Sequence, residues 1–169
     1  EEKLDSGPVC NTYKIKIDSN DNALEISEKL SFLAAKKILD NVDDILDDKV
    51  KFVIQDHSKA TYAKKIDKNE GQINWNDEAK IIIGKINGLF PNPGAFFNFN
   101  GERYKILKAE IGNGVGKFGE VISDKLEIAC KDNKSVKILE IQRQGKKPQK
   151  IGEFMLGSRI KKGSIISNV

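Results

Sequence analysis

Apolar positions change their period twice within the first fifty-odd residues. After the turn chemistry of Ser6-Gly7-Pro8, "VCNTYKIKI" sets Tyr13, Ile15 and Ile17 alternately with polar residues, which predicts a half-buried strand. "DSNDN" breaks that pattern, and Asn22 followed by Glu25 has the spacing of a capping box. Apolar residues then recur at Ile26, Leu30, Leu33, Ala34, Ile38, Val42, Ile45 and Leu46, the stripe of a long amphipathic helix. "VKFVI" at 50–54 reads as a second short strand. Strand followed by helix is the grammar of an α/β domain, and here it reads as the tail of one.

Periodicity fails over 55–75, a polar stretch with Gly71, and the segment reads as a linker between modules. It returns at Asn76, which is placed to cap a helix whose face is Ala79, Ile82, Ile83, Ile86 and Phe90. "FPNPG" stops that helix. "AFFNF" and "ERYKILKAEI" flank Asn100-Gly101, a strong two-residue hairpin signal. "GEVIS", "KLEIAC" and "SVKILEIQR" follow with polar turns between them, and "PQKIGEFMLG" reads as one or two helical turns. Five short strands with no helix among them predict a small OB-like barrel.

Charge sharpens this division. Residues 1–67 carry 11 Lys against 14 Asp or Glu, whereas residues 68–169 carry 18 Lys or Arg against 11 acids. Such a step points to two modules with different partners. The C-terminal excess concentrates between Arg143 and Lys162, where Arg143, Lys146, Lys147, Lys150, Arg159, Lys161 and Lys162 meet the single acid Glu153. Arg103, Lys105 and Lys108 lie on the hairpin, with Arg103 and Lys105 on one face by alternation. A basic face of this kind can follow a phosphate backbone without reading sequence. Each cation taken singly also fits a solvated surface.

Other chemistry is sparse. No apolar run approaches the roughly 20 residues that span a bilayer. Cys10 and Cys130 sit far apart in apolar runs and read as buried free thiols. The lone histidine, His57, falls in the polar stretch, and no metal site is expected.

Five motifs together resemble the methionyl-tRNA formyltransferase family: "LDSGPV" at 4–9, "ATYAKKIDKNEGQINW" at 60–75, "LFPNPGAFF" at 89–97, "LEIQRQGKKP" at 139–148 and "FMLGSRIKKG" at 154–163. The resemblance implies an α+β organisation. Residues 1–54 would be the C-terminal part of a Rossmann-like formyltransferase domain, 55–75 the linker, and 76–169 an OB-like domain that holds tRNA. It implies formyl transfer from 10-formyltetrahydrofolate, a substrate here, to the amine of initiator methionyl-tRNA. It further implies a bacterial cytoplasmic setting, a monomer, and no metal or membrane.

Of the family's catalytic Asn, His and Asp, the resemblance supplies Asp5; the other two would lie upstream, and His57 does not match. The chain alone is therefore expected to be inactive. Glu1 and Glu2 would lie in the loop that approaches the folate pterin. The basic residues from Arg103 to Lys162 named above would face tRNA. This chain departs from the family at Asn87, where many members carry Arg, and at Pro91-Asn92-Pro93, which lacks the usual Trp. Two rival readings are a stand-alone RNA-binding module without activity and a sugar-nucleotide formyltransferase, which shares the "LDSGP" loop.

Overall fold

The computed structural model describes residues 2–167, so Glu1 lies outside the described residues. Contacts divide the chain into two units, Glu1–Asp18 with Glu25–Lys65 and Ser19–Leu24 with Ile66–Val169.

Helix α1 spans Ala23–Leu46 and follows the apolar stripe read from the sequence. None of its residues is buried, and Phe32 and Leu39 are 79% and 77% exposed. In the first unit the predicted strand at 9–17 is absent, as is the one at 50–54. A single antiparallel bridge joins Val9 to Val53, closed by two backbone hydrogen bonds of 2.9 Å. A pleated segment is stable only with neighbours that satisfy its ladder and cover a face, and the described residues offer 9–17 only this bridge. Tyr13 packs instead against α1. Asn41 Nδ2 donates to its hydroxyl at 3.2 Å, and the Lys37 ammonium lies 5.1 Å from its ring centre.

The second unit holds the core. Part of the stretch read as linker belongs to it: Ile73 and Trp75 are buried in that core, and Gln72 bridges to Phe96. A 3-10 turn at Lys68–Gly71 precedes them, closed by a capping box between Asp67 and Glu70. A Cβ on Gly71 would collide with the carbonyl oxygen of Gly94, so only glycine allows that approach.

Helix α2, Ala79–Gly88, buries Ala79, Ile82 and Ile86 as its stripe predicts. Its cap differs from expectation. Glu78 holds the N-cap position without a side-chain bond, and Asp132 Oδ1 accepts the Ala79 N–H at 3.2 Å from a distant turn. After the proline-rich stop come β1 (Ala95–Phe99) and β2 (Glu102–Gly112), paired antiparallel around Asn100-Gly101. Both turn residues have positive φ, 50° and 78°, the geometry that matches hairpin twist.

Strands β3 (Glu127–Ala129), β4 (Ser135–Arg143) and β5 (Gln149–Lys150) complete an antiparallel sheet of order β1-β2-β4-β3, with β5 also on β4. Residues 119–122 contribute bridges rather than a strand. The expected OB-like barrel is thus corrected to an open sheet: the order runs from β1 to β3 and does not close among the described residues. The physical reason lies in α2. Its Ile82 and Ile86 join Phe97, Ile106 and Ile141 in one cluster, so a helix rather than a closing strand completes the core. Helix α3, Ile151–Gly157, adds Phe154 to that cluster.

Cys130 is buried as expected, and burial pushes its thiol up to about 12. Cys10 is only half-buried. No described helix is long and apolar enough to cross a membrane.

Candidate functional site

Two groups of residues bear on function, one in each unit. In the first, Asp5 has φ of 57°, a left-handed conformation that Asp and Asn adopt more readily than other non-glycine residues. The turn around it is held by other groups. Ser6 Oγ donates to the Lys3 carbonyl at 2.8 Å, and Gln55 Nε2 donates to the carbonyls of Asp5 and Gly7 at 2.9 and 2.7 Å. The Asp5 carboxylate is exposed and takes no hydrogen bond among the described residues, so it does not cap the turn. A loop pinned by its backbone, with a carboxylate left over, is suited to present that carboxylate to a ligand. Glu2 is exposed nearby in the chain; Glu1 lies outside the described residues. Gln55 carried no sequence signal, since its partners are 50 and 48 residues away.

In the second unit the basic residues separate into two faces. Register places Arg143 opposite Tyr104, and side chains alternate along β2, so Arg143, Tyr104 and Glu102 share one face while Arg103 and Lys105 share the other. On that second face Arg103 stacks its guanidinium 4.0 Å from the Phe96 ring centre. Lys105 lays its stem against Gly94 and reaches the Pro91 carbonyl at 3.5 Å. These two cations therefore pack on the hairpin and its proline turn. Lys108, exposed, stands opposite Glu140 in register.

The first face opens into a cleft of about 570 Å³ whose lining includes Arg143, Lys146, Lys147 and Arg159. Its floor is Tyr104, 5% exposed, stacked on Phe97 at 5.4 Å and met edge-on by Phe154 at 5.8 Å. The Tyr104 hydroxyl donates to Glu102 Oε2 at 2.7 Å, and Arg143 donates to Glu102 Oε1. Arg143, and then Tyr104, hold the Glu102 carboxyl below the ordinary carboxylate range. Burial, and then the bond to Glu102, pushes the Tyr104 phenol up to about 12. Lys150 lies exposed on β5 next to the cleft-lining Gln149, and Lys161 and Lys162 are exposed in the segment after α3. Sequence reading missed Glu102 and Tyr104, although strand alternation put both on one face.

Comparison with known proteins bears on both units. Residues 65–159 match the family model described as formyl transferase, C-terminal domain. The chain is 64% identical to the methionyl-tRNA formyltransferase of Pelagibacter ubique (strain HTCC1062) over 99% of its own length and 54% of that protein's. It thus spans about half the length of the curated relatives it matches. Among solved structures, HypX from Aquifex aeolicus in complex with tetrahydrofolic acid has the same fold over 93% of this chain and 28% of that one, with TM-score 0.66 and 19% identity. An N-formyltransferase from Helicobacter canadensis, solved with folinic acid and dTDP-3-aminofucose, covers 82% of this chain and 52% of its own, with TM-score 0.62 and 18% identity. On the match across 65–159, the chain belongs to the formyltransferase family and carries its C-terminal domain.

Proposed function

We propose that the protein acts as a methionyl-tRNA formyltransferase in the bacterial cytoplasm, taking a formyl group from 10-formyltetrahydrofolate and passing it to the amine of initiator methionyl-tRNA. The observation that carries this reading is the 64% identity to one such enzyme along 99% of the chain, through both units. In the reaction the amine nitrogen bonds to the formyl carbon, the bond from that carbon to the folate nitrogen breaks, and the proton lost by the amine ends on the departing folate nitrogen. An α-amine has a pKa of about 8, so about a tenth of it is already neutral at pH 7 and no strong base is needed. An oxyanion develops on the formyl oxygen and calls for donors fixed around it.

Asp5 is the carboxylate this chain offers. Beside an imidazole it would keep that ring oriented and charged and help draw the proton from the attacking nitrogen. Its exposure and its lack of a hydrogen-bond partner among the described residues support that role. The Asn and His implied by the family resemblance would complete the set, with Glu2 beside the folate. The cations of the second unit would hold the acceptor's phosphates, chiefly Arg143, Lys146, Lys147, Lys150, Arg159, Lys161 and Lys162. Arg103 and Lys105 are weaker candidates because their heads are engaged on the hairpin.

The test is a formylation assay at the length of the curated relatives, with 10-formyltetrahydrofolate and either methionyl-tRNA or a dTDP-amino sugar. Formylated tRNA is expected. Formylation of the sugar with none of the tRNA would overturn the proposal in favour of the sugar-nucleotide reading. Binding of tRNA without transfer to either acceptor would favour a binding module.

A further inference from the structure

The cleft over Tyr104 has an excess of positive charge that its own acids do not meet. Arg143, Lys146, Lys147 and Arg159 line it against Glu102 and Glu153. Both carboxylate oxygens of Glu102 are engaged: one takes Tyr104 and the other takes Arg143. The Arg143 guanidinium spends on that pair only part of its donor capacity. Arg159 feels the Glu102 charge without a hydrogen bond or ion-pair contact to it, and the ammonium groups of Lys146 and Lys147 have no hydrogen bond or ion pair among the described residues. A planar guanidinium held in place by a carboxylate, with a second one lining the same cleft, is the arrangement that grips a tetrahedral oxyanion with paired N–H bonds. The buried Tyr104 ring fixes where Glu102 sits, and Glu102 fixes Arg143. The site is therefore shaped before any ligand arrives.

We propose that this cleft binds one backbone phosphate of an RNA through Arg143 and Arg159, and that Glu102 is a resident anion that positions Arg143 and competes with the phosphate for it. The anion site stands on the cleft itself; its assignment to RNA rests on the acceptor proposed above. Glu102 then sets the strength of the contact. Its presence lowers affinity by opposing the phosphate charge, and its removal should raise affinity although a hydrogen-bonded pair is lost. A purely structural carboxylate would behave the opposite way.

The test uses the 169-residue chain with an unmodified tRNA transcript, measured by fluorescence anisotropy across a salt series, with thermal unfolding as a check on folding. Arg143→Gln is expected to weaken binding about tenfold at low salt and to reduce the log–log salt slope by about 0.7 to 0.9, one phosphate contact. Glu102→Gln is expected to tighten binding about threefold or more, the direction expected when a like charge leaves a phosphate site. A folded Glu102→Gln protein with unchanged or weaker binding overturns the proposal.

Should Arg143→Gln fail to fold, side-chain N–H resonances of Arg143 and Arg159 in the unaltered chain are followed while inorganic phosphate is added. Saturable shifts that tRNA abolishes support the site. Absence of shifts, or shifts that tRNA leaves untouched, overturns it. If replacing Lys146, Lys147 and Lys150 weakens tRNA binding while the Arg143, Arg159 and Glu102 variants do not, the cleft proposal fails and the RNA reading survives. If none of these changes matters, the RNA reading of this face fails with it.

Discussion

Gln55 donates from a single amide nitrogen to the backbone carbonyl of Asp5 at 2.9 Å, and from the same nitrogen to Gly7 at 2.7 Å. Both amide hydrogens are thereby used to tie the "DSG" turn to a segment 50 residues later. The carboxylate of Asp5 stays clear of this arrangement. The turn is shaped by one residue while another carries the exposed carboxylate, so the two can be separated by mutation.

Gln55→Ala should loosen the turn at a cost of about 1 kcal/mol for each hydrogen bond lost. At the length of the curated relatives, kcat for formylation is expected to fall about tenfold to a hundredfold, up to the scale of a mispositioning of about 1 Å, with tRNA affinity unchanged. Steady-state kinetics with tRNA and folate varied in turn check this. An unaltered kcat would mean that Asp5 is placed by something other than Gln55.

Asp5→Asn keeps a residue that tolerates the positive φ of 57°. Folding and tRNA binding should therefore persist, while turnover drops by at least about a hundredfold, the scale for a lost acid–base group. A variant with near-normal turnover would reduce Asp5 to a turn residue.

Replacing Lys146, Lys147 and Lys150 together with Glu should weaken tRNA binding, raise the KM for tRNA and flatten its salt dependence. Each lost phosphate contact removes about 0.7 to 0.9 from the log–log slope. The KM for the folate should not move, because these lysines lie in the second unit and Asp5 lies in the first. Unaltered tRNA affinity at low salt would show the three to be solvated surface.

Tyr104 makes an alkaline prediction. Its phenol is raised from 10.0 to about 12, by burial first and then by Glu102. A group with a raised folded pKa contributes stability that is complete below its unfolded value and is lost as pH climbs through the folded one. Denaturant midpoints should therefore decline between pH 10 and about 12. Tyr104→Phe should remove that part of the decline, and phenolate absorbance should show one tyrosine titrating late. A Tyr104 that ionises with ordinary phenols would contradict the buried bond to Glu102.

Asp132→Ala removes the acceptor for the Ala79 N–H, 53 residues away in the chain. Loss of an N-cap acceptor costs about 1 kcal/mol. The thermal midpoint of the folded chain should fall by a few degrees, with tRNA binding preserved. No change would mean that the first turn of α2 is satisfied by water.

What the chain alone determined is what neighbouring residues decide among themselves. The 3.6-residue stripe laid out α1 and α2, and Asn100-Gly101 set the β1–β2 hairpin, because φ preference and side-chain period act within a few residues. The density of Lys and Arg between 143 and 162 and the "LDSGP" turn were likewise plain from composition and order.

Tertiary structure decided the rest. It left 9–17 without the strand its alternation suggested, because a strand is completed only by neighbours that the described residues supply at Val9 and Val53 alone. It drew Ile73 and Trp75 out of a polar stretch into the core, and it covered the sheet with α2 where closure into a barrel had been expected. It gathered Arg143, Lys146, Lys147 and Arg159 from the C-terminal run into a cleft around Tyr104, and it packed Arg103 on the opposite hairpin face against Phe96. Gln55 on the Asp5 turn, Asp132 on α2 and Glu102 on Arg143 are pairings across 41 to 53 residues. Contacts at that separation leave no local period to read, and they arise only when the burial of an apolar core brings distant segments to one place.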